Sequence, residues 1–160
     1  MNLIDCSYFY HGPLQVMNAE STNDLDSNAY AVQEHITGYI ERYQDDFLLS
    51  MLGDALTADV TSRMNEGDTD DIDDLLEMLR MPFAHYVYFK MVGDGNQVMT
   101  ATGLVRLKSA NDYQPPRQRM VSVWNEMVKL NKKFVAWAET SSYEVFYQVN
   151  MVTPINQFNL

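Results

Sequence analysis

Cysteine is nearly absent from this chain: Cys6 is the one thiol in 160 residues. It cannot form an internal disulfide, and such scarcity suits a reducing compartment. Basic charge is scarce too, with 11 Lys and Arg against 22 Asp and Glu, a formal charge of −11. Grip on duplex DNA comes from cations that neutralise phosphates, so this balance argues against a DNA-gripping role. It suits a protein that lets DNA pass without sticking, or one whose partner is basic. Long apolar runs are missing: no stretch approaches the roughly 20 residues of a membrane span. The stretch from Met1 to Cys6 has neither a basic n-region nor a long apolar h-region, so no signal peptide is expected. The expectation is a soluble protein made in the cytoplasm, with no membrane partner.

Catalytic signatures are missing as well. There is no phosphate-cradling G-x-x-x-x-G-K-[ST] or G-x-G-x-x-G, no G-x-S-x-G elbow, no C-x-x-C and no H-E-x-x-H. Three histidines and one cysteine lack the spacing of a zinc site. Asp68 and Asp70 begin like a calcium loop, but Ile72 stands where the third oxygen ligand belongs, and the loop's Gly and distal Glu are missing. Carboxylate pairs abound, and in so acidic a chain they read as solvated surface; a dyad assembled by the fold alone stays open. The expectation is no enzyme activity, no cofactor and no metal.

What is abundant is Tyr, at 10 residues, and Met, at 11. Both are enriched at protein–protein interfaces, where Tyr is a rigid amphipathic contact and Met a pliable one. A core-filling role for the Met residues stands beside that reading. The length predicts a single domain, residues 1–160, with a real core.

Along the chain, residues 1–30 read as an extended N-terminal arm bearing the aromatic cluster Tyr8, Phe9 and Tyr10. A mainly α core follows over 31–142, a bundle of about four helices. Val32, Ile36, Tyr39, Ile40 and Tyr43 share one helical face, and Phe47, Leu48, Met51, Leu52, Ala55, Leu56 and Val60 extend it. Gly53 predicts a kink or a close contact. Residues 66–74 read as a turn and an acidic helix start. Pro82 is expected to interrupt or restart the next helix, whose face holds Phe83, Tyr86, Val87 and Met91. His85 beside them reads as a satisfied half-buried histidine rather than a ligand. Residues 93–97 read as a turn into a long extended loop or β-hairpin insertion at about 94–114, far longer than usual bundle connections. Pro115 and Pro116 open the last helix, whose apolar stripe Met120, Val123, Trp124, Met127, Leu130, Phe134 and Trp137 predicts burial of Trp124. Residues 143–160 form a C-terminal arm whose partial alternation suits a strand, stopped by Pro154.

Apolar arms and an inserted loop around a helical body suit a protein that holds other proteins, since extended segments add strands to a neighbour's sheet or lie in its grooves. The candidate partner-contact residues are Tyr8, Phe9 and Tyr10, then Val98, Met99, Leu104 and Val105, and in the tail Tyr143, Phe146, Tyr147 and Phe158.

Three stretches carry a resemblance. The first is "ITGYIERYQDDFLLSMLGDALTADV", where Ile40, Arg42, Tyr43, Asp46, Leu48, Met51, Leu52, Gly53 and Leu56 match. The second is "FAHYVYFKMV". The third combines Thr102-Gly103, Ala110-Asn111 and Trp124-Asn125-Glu126-Met127-Val128 with Asn131. In this order, over roughly residues 36–138, the chain resembles the head-to-tail connector (neck adaptor) family of tailed bacteriophages, the crAss-like phages of Bacteroides-type hosts among them. It departs at Ala110, where that family usually has an acidic residue. The resemblance implies a mainly helical virion protein, made in the host cytoplasm, that forms a homo-oligomeric ring in the head–tail neck. The ring would be twelve-fold, as phage portals are. Implied partners are the portal protein, tail or other neck proteins, and genomic DNA passing without sequence-specific binding. The alternative is a small phage-encoded regulatory or host-takeover binding protein, non-enzymatic.

Overall fold

A computed structural model describes residues 1–20, 27–95, 97–100, 103–106, 116–156 and 158. The architecture is a mainly α bundle of four helices: α1 (Ser27–Leu52), α2 (Asp54–Glu66), α3 (Asp73–Asp94) and α4 (Arg117–Ala138). Gln97–Thr100 (β1) and Gly103–Arg106 (β2) pair antiparallel, with Val98 opposite Val105 and Met99 opposite Leu104. The rest of the expected insertion, residues 96, 101, 102 and 107–114, lies outside the described residues, as do Pro115 and the side chains of both strands.

The buried stripes follow the predicted spacing except at Ala55, which is exposed, and Trp124, described below. Ile36, Ile40, Phe47, Leu48 and Met51 of α1 are buried, and the helix begins four residues ahead of Ala31, with Ala29 buried in its first turn. A single residue separates α1 from α2. Gly53 has φ 78° and ψ 173°, a region essentially restricted to glycine. Its N–H closes α1 on Leu49 O at 3.1 Å, and its carbonyl opens α2 on Thr57 N at 3.1 Å. A second left-handed glycine, Gly67, ends α2, and Asp73 and Asp74 start α3 where carboxylates complement the helix dipole.

α3 is the central element, packed on α1 on one side and on α4 on the other. Pro82 does not interrupt it: the helix runs unbroken from Asp73 to Asp94, with Pro82 itself buried. A mid-helix proline costs roughly 3 kcal/mol. Leu75, Leu76, Leu79, Phe83, Ala84 and Val87 around it are all buried, and each large apolar side chain contributes about 1.5–3 kcal/mol, so the packed stripe outweighs that cost. α3 runs two residues into the turn expected at 93–97, and Gly95 N–H closes the helix on Met91 O at 2.8 Å. An aromatic chain crosses the bundle: Phe47 meets Phe83 at 5.1 Å and Tyr86 at 5.6 Å, and Trp124 meets Phe89 at 4.9 Å. Tyr39 ties α1 to the end of α3 through Asp94 at 3.1 Å. Burial, and then that bond, push its hydroxyl up to about 12.

Residues 1–20 are not an extended arm. Two short 3-10 turns, Cys6–Phe9 and Gly12–Leu14, fold them onto the bundle. Leu3, Ile4, Phe9, Leu14 and Ala19 are buried in the common core. Gln33 of α1 donates to Ala19 O at 2.8 Å, and Arg119 of α4 donates to Pro13 O. The Gly12-Pro13 turn reverses the chain, and covering those apolar side chains from water holds the reversed segment down. Residues 21–26 of the expected arm lie outside the described residues.

Candidate interaction surface

The feature with the most unusual chemistry is the segment after α4. The alternation of Tyr143, Val145, Tyr147, Val149 and Met151 predicts a strand, but 143–148 pair with no strand and Val149–Val152 form a 3-10 turn. The strap lies instead against helix ends and side chains. The last carbonyls of an α-helix have no partner within it. Here Phe146 N–H takes Leu52 O at 3.2 Å and Gln148 N–H takes Ser50 O at 2.8 Å.

Three side chains of α4 hook the rest. Asn131 Nδ2 donates to Met151 O at 2.7 Å, and Trp124 Nε1 donates to Thr153 O at 3.0 Å. Asn125 holds Ile155 at both ends, donating to its carbonyl at 3.0 Å and accepting from its N–H at 2.9 Å. Asn131 is fully buried on the apolar stripe between Met127 and Phe134, and its Oδ1 has no hydrogen-bond partner among the described residues. Tyr143 packs its ring on Trp137 at 5.8 Å and donates its hydroxyl to Asp71 O at 2.9 Å. Met151 plugs into the core at 2% exposure.

Large apolar side chains stand among the exposed residues of the strap. Phe146 is 66% exposed, Val149 74% and Phe158 85%, with Tyr147 and Leu49 of α1 also exposed. Beside them opens a cleft of about 500 Å³ between α1, α3, α4 and the strap. Tyr86, Phe89 and Trp124 supply aromatic surface, Gln148 and Asn150 supply amides, and Asp46 and Lys90 supply opposite charges. The Lys90 ammonium sits 5.0 Å from the Tyr43 ring and 5.1 Å from the Tyr86 ring, the geometry of a cation held on aromatic faces. Aromatic faces interleaved with amides and one charge of each sign suit capture of a protein segment.

Of the residues singled out by sequence, Phe146, Tyr147 and Phe158 are exposed. Tyr143 and Phe9 turn inward, Phe9 with no exposure at all. Tyr8 and Tyr10 are half-buried, and burial raises both hydroxyls. Val98, Met99, Leu104 and Val105 belong to the hairpin, whose side chains lie outside the described residues. Trp124, expected in the core, is half-buried because its indole N–H turns to the strap. Sequence reasoning gave no contact role to Leu49, Val149 or the asparagine hooks, although Asn125 and Asn131 stand in the stretches that carry the resemblance. For Asn131 a signal existed, an amide standing in a helix's apolar stripe.

His85 behaves as a packing histidine. It is 7% exposed with Nδ1 2.9 Å from Met81 O, and burial lowers its pKa. Among the described residues, no three His, Cys, Asp or Glu groups gather as a metal site, and no helix is long and apolar enough to cross a membrane. Comparison of the chain with known protein families, curated proteins and solved structures finds no match.

Proposed function

We propose that this chain is a virion structural protein of a tailed phage, a head-to-tail connector subunit. Copies assemble as a ring, twelve-fold to match the portal, between portal and tail. The ring forms part of the channel through which the genome passes without being read. The observation that carries an assembly role is the set of exposed apolar side chains on the strap beside the cleft. Phe146, Tyr147, Val149 and Phe158 stand out in water on one short segment, and covering such surface is favourable by about 25 cal/mol per Å². Exposed apolar surface of that kind marks contact sites on proteins. The resemblance of residues 36–138 to the connector family supplies the setting, and a carboxylate-rich surface suits a channel that repels phosphate.

The test is quantitative mass spectrometry of purified particles. The expected result is many copies per particle, in a fixed ratio to the portal. Complete absence, or one or two copies per particle, refutes the reading. Synthesis early in infection with exclusion from particles points to a regulatory binding protein instead.

A further inference from the structure

Charge is unevenly placed on this molecule. From Arg117 to Ala138, α4 carries five cations and one carboxylate, Glu126. From Asp54 to Glu77 there are nine carboxylates and one cation, Arg63. On the solvent side of α4, Lys129, Lys132 and Lys133 are all exposed. Their i, i+3, i+4 spacing makes them neighbours on the helix surface, where like charges repel. Lys129 has a partner in Glu126 at 2.6 Å; among the described residues no ion pair forms at Lys132 or Lys133.

The corner between α2 and α3 carries the complementary set. Asp70 opens the 3-10 turn Asp70–Ile72, Asp73 and Asp74 open α3, and all three are exposed. Arg80 reaches Asp73 at 3.5 Å; among the described residues Asp70 and Asp74 have no ion-pair partner. A lysine triplet on one helix face and an aspartate triplet at the α2–α3 corner are complementary in charge, so the two can meet when copies of the chain associate.

We propose that the lysine triplet of α4 docks onto the aspartate triplet of a second copy of this chain. The inference rests on the ring reading above and gives that ring one specific contact. Nucleic acid is the weaker occupant of the lysine face. Proteins that grip duplex make on the order of 6–10 phosphate contacts, and three lysines on a chain of charge −11 fall short of that.

Charge reversal on the full chain tests the contact. Sedimentation velocity at low ionic strength would compare wild type, K132E/K133E, D70K/D74K and an equimolar mixture of the two variants. All four sites are exposed, and circular dichroism verifies that the variants fold. The wild type is expected to associate reversibly, more weakly in added salt. Each variant alone should associate about tenfold more weakly, the scale of a few exposed ion pairs acting together. Mixing them should restore association, because the new glutamates face the new lysines. A wild type that stays monomeric at every concentration, variants that associate like wild type, or a mixture that fails to recover each overturns the proposal. Duplex oligonucleotide bound by wild type and lost in K132E/K133E, without self-association, overturns it in favour of nucleic acid. Particle copy number is independent of these outcomes, so many copies per particle with no effect of the swaps removes this contact and leaves the neck assignment standing.

Discussion

Replacing Gly53 with alanine couples the break between α1 and α2 to the docking of the C-terminal strap. At φ 78° and ψ 173° a side chain brings backbone strain of order 1–3 kcal/mol. The added Cβ would also lie 2.9 Å from Phe146 Cβ, closer than two carbons approach, and overpacking of this kind costs about 1–3 kcal/mol. Against these, alanine restricts the unfolded chain and returns roughly 0.4–1 kcal/mol. The net expectation is a loss of about 1–5 kcal/mol. Urea unfolding followed by far-UV circular dichroism measures it, and proteolysis within 141–156 reports whether the strap lifts when Phe146 N–H loses Leu52 O. Phe146→Gly removes the opposing Cβ, so a double-mutant cycle should recover the contact, about 1–3 kcal/mol, while the strain remains. A Gly53→Ala protein within about 0.5 kcal/mol of wild type, or a cycle with zero coupling, refutes the argument.

Asn131→Asp sets a buried carboxylate against Met151 O, where an amide now donates. It should destabilise by about 3–5 kcal/mol at neutral pH. Because this carboxyl's folded pKa is raised, stability should recover as pH falls and it is protonated; equal losses at pH 7 and pH 5 refute this. His85 has a folded pKa below its ordinary 6.5, so the unfolded chain binds the proton more tightly. Stability should therefore fall as pH drops below about 6.5 and be insensitive to this group above it, and His85→Gln should flatten that slope in urea titrations. Trp124→Phe keeps an aromatic ring against Phe89 but loses the bond to Thr153 O, a loss of about 1 kcal/mol. Trp124→Ala should cost roughly 2–4 kcal/mol, below the range for a fully buried aromatic, with faster cleavage of the strap as the separating readout.

The helices were legible because their signal is local. Ile36, Ile40, Phe47 and Met51 repeat at helical spacing, and any fold that keeps the period buries them together. Pro82 misleads for the opposite reason. Its cost is a property of one residue, whereas the compensation comes from Phe83, Ala84 and Val87 packing between α1 and α4. Trp124 looked like core because period alone marks a stripe, and only the partner at Thr153 O explains why the indole sits at the stripe's edge. Alternation in the tail was a real pattern read as the wrong structure. With the ends of α1 and the amides of α4 as partners, period two serves a strap as well as a strand.

By itself, then, the sequence determined the four-helix content, a kink or close contact at Gly53, the turn and acidic helix start over 66–74 and the packing role of His85. Each follows from interactions within a few residues, or from a periodicity that survives any arrangement of the helices. Tertiary structure decided which aromatic residues remain in water. Phe9 and Phe146 are alike in composition and neighbourhood, yet one is sealed in the core and the other stands 66% exposed. That difference arises from long-range geometry. The Gly12-Pro13 turn folds one segment under the bundle, while the carbonyls of Leu52 and Ser50 and the hooks of α4 hold the other along its surface with Phe146 outward.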